Sequence, residues 1–203
     1  MQEKIKEFIR ESGEILEKMQ GSVDFLNSIE TVASLTIKTL KNNKKILVFG
    51  NGGSAAQASH FVAEFINRFK IDRAPLPAIS LVTDISILSS IANDFGYEYV
   101  FSKQIEALGL LGDIVFVLTT SDIDFKKGGH SANIYQGLLS ARKKGLITIG
   151  LVSEKSHDIL KFLDIAIIIP SKNTPRIQEA HLLILHSICE IVEKSLFENE
   201  KIN

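Results

Sequence analysis

His60 and Glu64 stand four residues apart, a spacing that on a helix sets one above the other on a single face. An imidazole and a carboxylate so placed can hold a divalent metal or move a proton. Just before them come Asn51-Gly52-Gly53-Ser54, behind the apolar run Ile46-Leu47-Val48-Phe49-Gly50. A glycine-rich turn between a strand and a helix lets backbone N–H groups approach a ligand closely, and the helix start favours an anion. Taken alone, His60 and Glu64 also describe an ordinary surface contact, worth only tenths of a kcal/mol. Their place just beyond the glycine turn favours chemistry. A phosphate or sugar cradle beside an acid/base or metal pair points to work on a small phosphorylated polyol.

Three further stretches carry suitable side chains. Gln178 and His186 share a helix face but lie eight residues apart, ~12 Å of helix rise, so they are a weaker pair than His60 and Glu64. His181 falls elsewhere around that helix and reads as a structural or interface histidine. Asn93-Asp94-Phe95-Gly96 is either a helix end with Gly96 in the left-handed region or a set of donors and acceptors for sugar hydroxyls; local sequence leaves both open. Thr119-Thr120-Ser121 offers hydroxyls and amides for a phosphate, and Ser131 opens the next helix as an N-cap, where an anion is also welcome.

The elements that must position these residues follow from the apolar pattern. Short apolar runs at 45–50, 77–82, 113–119, 146–152 and 164–169 alternate with helical stretches at 54–69, 84–95, 98–108, 132–144 and 156–162. Continuous apolar strands separated by helices predict an α/β fold with a parallel sheet covered on both faces, a three-layer sandwich. Ligands in such sheets bind outside the carboxyl ends of the strands, which selects the loops at 50–54, 83–86, 119–131 and 153–156. A last helix runs from Pro175 or Arg176 to Phe197. Before the first strand, residues 2–20 form an amphipathic helix that Gly21 interrupts, and a second helix spans about 24–40; both read as packing or subunit-contact helices. Lys38, Lys41, Lys44 and Lys45 fit a solvated helix end, where lysines complement the dipole.

Composition excludes several function classes. At 203 residues the chain reads as one domain, 1–203, with leading helices over 1–42 and an α/β core over 45–203. A formal charge of −1 gives no electrostatic reason to bind nucleic acid or an anionic membrane. One cysteine, Cys189, rules out an internal disulfide framework and fits a reducing compartment; its apolar helical neighbours indicate a buried, inert thiol. The first residues open a charged helix without the apolar core of a signal peptide, and no apolar run approaches the ~20 residues of a membrane span. The expected location is cytoplasmic.

Assembled, these stretches resemble the phosphoheptose isomerases (sedoheptulose 7-phosphate isomerases) of the sugar isomerase, or SIS, superfamily. The likeness rests on Gly50-Asn51-Gly52-Gly53-Ser54 through His60 and Glu64, on Thr83-Asp84 through Asn93-Asp94-Phe95-Gly96, and on Arg176-Ile177-Gln178-Glu179-Ala180-His181 through His186. It covers essentially the whole chain. The resemblance implies a flavodoxin-like, five-stranded parallel SIS sheet, a homotetramer with sites at subunit boundaries, and a zinc ion held by His60, Glu64, Gln178 and His186. It places substrate contacts on Asn51, Gly52, Gly53, Asn93, Asp94, Thr119, Thr120 and Ser121, joined by Glu64, Ser131 and Gln178. It implies conversion of sedoheptulose 7-phosphate to D-glycero-D-manno-heptose 7-phosphate through an enediol, for surface heptose or lipopolysaccharide synthesis. Glu64 would act as base and His186 as acid.

One stretch departs from that pattern. The family's phosphate loop is a compact Ser-Thr-Ser-Gly-Asn-Ser, whereas Asp122-Ile123-Asp124-Phe125-Lys126-Lys127-Gly128-Gly129-His130 here separates Ser121 from Ser131. Asp122 and Asp124 are expected near the phosphate, where their repulsion is unfavourable, with Lys126, Lys127 and the glycine amides to compensate. The altered loop keeps open a SIS isomerase for another sugar phosphate. A non-catalytic SIS adaptor, like the initiator-associating protein of the bacterial replication origin, is a third reading. Against it stands the set His60, Glu64, Gln178 and His186, which an adaptor has no reason to assemble.

Overall fold

A computed structural model describes residues 1–126 and 128–198. Five strands form one all-parallel sheet: β1 (Ile46–Gly50), β2 (Ala78–Ser80), β3 (Ile114–Leu118), β4 (Ile147–Ser153) and β5 (Ile165–Ile169). Their order is β2-β1-β3-β4-β5, the flavodoxin-like arrangement whose direction of winding switches between β1 and β3. Register pairs Ile46 with Ile114 and Gly50 with Leu118, so the loops after these two strands leave the sheet side by side. That juxtaposition creates the cleft.

Alternate strand residues feed two cores, as the period of two requires. On one face Ile46, Val48, Phe116, Leu118 and Ile149 meet Phe61, Phe65, Ile184 and Ile188. These come from α3 (Gly53–Ile66) and α7 (Thr174–Phe197). On the other face Leu47, Phe49, Val115 and Val117 meet Ile105, Ile134 and Leu138, from α5 (Ser102–Leu108) and α6 (Ala132–Lys143). A short α4 (Ile85–Asp94) completes that layer, its start held by the Asp84 carboxylate, which accepts the N–H groups of Ser86 and Ile87.

The leading helices α1 (Gln2–Gly21) and α2 (Val23–Lys41) belong to the first core through Ile15, Met19, Val32 and Leu40. The break between them falls at Ser22 and not at Gly21, because Ser22 caps α2 by accepting the Phe25 N–H. Arg176 ties α1 to the start of α7 by donating to the Phe8 carbonyl and the Ser12 hydroxyl.

Other expected boundaries shift for local reasons. The helix read over 54–69 stops at Ile66 because the Arg73 guanidinium takes the carbonyls of Glu64 and Phe65. The Glu193 carboxylate meanwhile accepts the N–H groups of Phe69, Lys70 and Ile71. The helix read over 156–162 is only a 3-10 turn at Ile159–Phe162, because the Asp122 carboxylate takes the N–H groups of His157, Asp158 and Ile159. The stretch 98–108 divides into a 3-10 turn at Tyr97–Tyr99 and α5. No described helix is long and apolar enough to cross a membrane.

Candidate active site

The carboxyl ends of β1 and β3 open into a cleft of about 500 Å³. Asn51, Gly52, Gly53 and Ser54 form one wall, and Leu118, Thr119, Thr120 and Ser121 another. The N-terminus of α6 and the loop before it, residues 128–133, close a third side. Gly50 is confined where the walls meet: a Cβ there would lie 2.7 Å from the Leu118 carbonyl oxygen. Gly52 turns the chain into α3 with φ +54, a conformation that glycine adopts without strain. Two helix N-termini, α3 and α6, thus point at one cavity, and each favours negative charge there.

Asn51 and Asn133 lock the cleft floor through two reciprocal amide bonds of 2.9 and 2.7 Å. Thr119 shapes the β3 loop, its hydroxyl donating to the Ser121 carbonyl and accepting the Ser121 N–H. Ser131 occupies the N-cap position of α6, but it departs from the expected role. Its φ of 59° is left-handed and its side chain makes no cap bond. Such a conformation costs a non-glycine residue on the order of 1 kcal/mol, and Ser131 is among the residues that line the cleft.

A second constellation lies further along the same two helices. His60 and Glu64 on α3 meet His186 on α7, with their ligand atoms all within 4.8 Å of one another. The two imidazole Nε2 atoms are 2.8 Å apart, and His60 Nε2 lies 3.4 Å from Glu64 Oε1. A tetrahedral ion with bonds of about 2.0–2.1 Å would hold such ligands roughly 3.3 Å apart, so the donor set fits a divalent metal. The Phe69 ring lies against His186 at 5.5 Å between centroids. One chain assembles the whole cluster without help from a neighbour.

Gln178, fourth of the expected ligand set, is turned toward the cleft: its carboxamide lies over Gly53, where a Cβ would meet Nε2 at 2.5 Å. Gln178 and Gly53 therefore mark the cleft end of α7 and α3, and His186 and His60 mark the cluster. Seven residues separate Gly53 from His60, about 10 Å of rise. Asn93 and Asp94 do not line the cleft; both are exposed at the end of α4, the Asn93 amide donating to the Asp94 carboxylate.

The expectation that Asp122 and Asp124 crowd the phosphate is corrected. Asp122 faces the 3-10 turn at Ile159; burial works to raise its carboxyl, but the N–H groups of Asp158, His157, Ile159 and Ile123 hold it below the usual range. Asp124 accepts the Lys126 N–H and packs against Gly129. Neither carboxylate lines the cleft. Lys127 lies outside the described residues. Sequence reasoning assigned nothing to Tyr97, Glu98, His130 and Asn133, which do line it. Only Asn133 carried a signal, as a polar residue in the first turn of α6. His181 is a core histidine: fully buried, its pKa is held down to about 4 by burial. Cys189 is buried and its thiol is pushed up, chiefly by burial, as an inert cysteine should be.

Comparison with known proteins agrees with this geometry. The SIS domain family matches residues 7–153. The phosphoheptose isomerase of Sulfurimonas denitrificans is 43% identical over 97% of each chain, and that of Aneurinibacillus thermoaerophilus is 42% identical over 98% of each. Among solved structures, the phosphoheptose isomerase of Neisseria gonorrhoeae superposes with a TM-score of 0.85 at 34% identity, covering 95% of this chain and 98% of its own. That of Francisella tularensis gives 0.86 at 32% identity, covering 95% and 97%. The chain belongs to the SIS domain family and, within it, to the phosphoheptose isomerases.

Proposed function

We propose that this protein interconverts sedoheptulose 7-phosphate and D-glycero-D-manno-heptose 7-phosphate as a ketose–aldose isomerase. The observation that carries this reading is the spacing between the anion cleft and the His60–Glu64–His186 cluster. Phosphate at the N-termini of α3 and α6 leaves about 10 Å along α3 to the cluster. Six C–C bonds of ~1.5 Å, together with the C–O and O–P bonds to the phosphate, advance roughly 10 Å from C1 to phosphorus when the chain is extended. The phosphate at one end then anchors the sugar while C1 and C2 reach the acid/base groups.

Within this proposal Glu64 takes the proton from C1 and returns it to C2 through an enediol, and His186 serves the two oxygens with the compensating proton. Asn51, Gly52, Gly53, Thr119, Thr120, Ser121 and Ser131 bind the phosphate end, and Gln178 lies between phosphate and carbonyl. Asn93 and Asp94 are proposed to contact substrate from a neighbouring subunit. His60, Glu64 and His186 would hold the ion, with Gln178 as proposed fourth ligand, and zinc suits this mixed nitrogen and oxygen set. When bound, the ion polarises the carbonyl and stabilises negative charge on oxygen.

The whole chain is proposed to work as a single SIS domain in a cytoplasmic homotetramer serving bacterial surface heptose synthesis. Ile5, Phe8 and Ile9 on α1 remain half-exposed or more, which supports burial against another copy. Purified protein given sedoheptulose 7-phosphate and zinc should form the aldose. Glu64→Gln should lower kcat roughly 10²–10⁴-fold, with the circular dichroism spectrum unchanged. Unaltered turnover in that variant would refute the assignment.

A further inference from the structure

We propose that His130, delivered by the loop over residues 122–130, binds the phosphate of the substrate and sets this enzyme's preference for phosphorylated sugars. The inference rests on the isomerase reading and adds a residue that the reading does not require.

The cleft has a charge problem that the loop answers. Among the described residues lining it, His130 is the one side chain able to carry positive charge, and Glu98 is the one acid. Hydroxyls and backbone amides supply dipoles, but a phosphate carries close to two negative charges at neutral pH. A charged donor makes the hydrogen bond to such an anion shorter and about twice as strong. His130 is placed for this: its Nε2 lies 2.9 Å from the Ser121 hydroxyl, at the mouth of the cleft between the β3 end and the start of α6.

The loop is built to hold His130 there. Asp122 fastens its beginning by accepting the N–H groups of His157, Asp158 and Ile159. Phe125 anchors its middle against Tyr135 and Phe162, with ring centroids 5.0 and 6.0 Å away. The Asp124 N–H donates to the His130 carbonyl at 2.9 Å, which closes the loop. Gly128 turns at φ +72, and Gly129 leaves no room for a Cβ beside the Asp124 side chain, 2.6 Å away. Held at Asp122, at Phe125 and at the His130 carbonyl, the described part of the loop presents an imidazole with little entropy left to lose on binding. His130 is therefore a ligand-binding residue, and Asp122 and Phe125 are positioning residues.

Steady-state kinetics on His130→Ala and His130→Gln test this. With sedoheptulose 7-phosphate, His130→Ala should raise KM roughly tenfold to a hundredfold and change kcat less than about threefold. His130→Gln, which keeps a donor without the charge, should fall between. Unphosphorylated sedoheptulose should show the same kcat/KM in all three proteins, which a merely structural role would not give. Inorganic phosphate should shift the His130 ring resonances in the wild-type protein. An unchanged KM in both variants, or ring resonances indifferent to phosphate, overturns the proposal. If the wild-type protein fails to turn over the sugar phosphate, the isomerase reading falls, while the phosphate titration still decides the role of His130.

Discussion

Replacing Glu193 by glutamine should destabilise the protein severely, although the residue lies outside both cleft and cluster. Its carboxylate and the Arg73 guanidinium form an ion pair of 2.9 Å, each side chain only 2% exposed. Oε1 accepts the Phe69 N–H and the Arg73 Nε–H, and Oε2 accepts the N–H groups of Lys70 and Ile71. Each oxygen therefore serves two donors. Whichever way the Glu193→Gln amide turns, its NH2 faces two N–H groups that lose their acceptor, and Arg73 keeps a buried charge without its counterion. Breaking such a buried pair costs about 3–5 kcal/mol, a large share of a total near 5–15 kcal/mol. At about 2–4 °C per kcal/mol for a chain of this length, Tm should fall by roughly 6–20 °C.

The same substitution has a pH signature. Burial works to raise the Glu193 carboxyl, but the N–H groups of Phe69, Lys70 and Ile71, with Arg73, hold it below its ordinary 4.5. A folded pKa below the unfolded one adds stability that is present above about pH 4.5 and is lost as pH falls further. Glu193→Gln should flatten that acid limb. Because the freed segment includes Phe69, which lies against His186, activity should decline along with stability. Thermal unfolding followed by circular dichroism at pH 7 and pH 4 gives the answer. A Tm within about 2 °C of wild type would refute the reasoning.

Four further outcomes are expected. His181 is buried with its pKa held near 4 against an ordinary 6.5. Its contribution is complete above pH 6.5 and is lost as pH falls toward 4, so about 2 kcal/mol should disappear between pH 7.5 and pH 5; urea unfolding of His181→Phe should lack that share. Gly50→Ala forces a methyl against the Leu118 carbonyl oxygen and Ser54, both held by strand and helix, and should lose about 1–3 kcal/mol by urea unfolding. Cys189, buried with its thiol pushed up chiefly by burial, should react with a disulfide reagent only at the rate of unfolding. Dialysis against a chelator should abolish turnover and lower Tm, and zinc should restore both; Tm indifferent to zinc would argue against an ion at His60, Glu64 and His186.

The sequence by itself determined the layered α/β fold, the glycine turn at the end of β1, and the placing of His60 and Glu64 on one helix face. These are local matters: apolar period, glycine placement and i, i+4 geometry need no knowledge of distant residues. The likeness carried by three motifs added Gln178 and His186 to the expected set, which their eight-residue spacing alone did not join. Only the folded chain decided that His186 reaches within hydrogen-bonding distance of His60, because that contact depends on how α3 and α7 lie together on one sheet face. Only it turned Asp122 away from the cleft, since a carboxylate goes where unpaired N–H groups await it, and these belong to a turn over thirty residues later. His130 was invisible for the same reason: its partner Ser121 is near in sequence, but most of the anchors that hold its loop come from residues 157–162, beyond β4. Long-range polar satisfaction, which no local pattern encodes, completed the site.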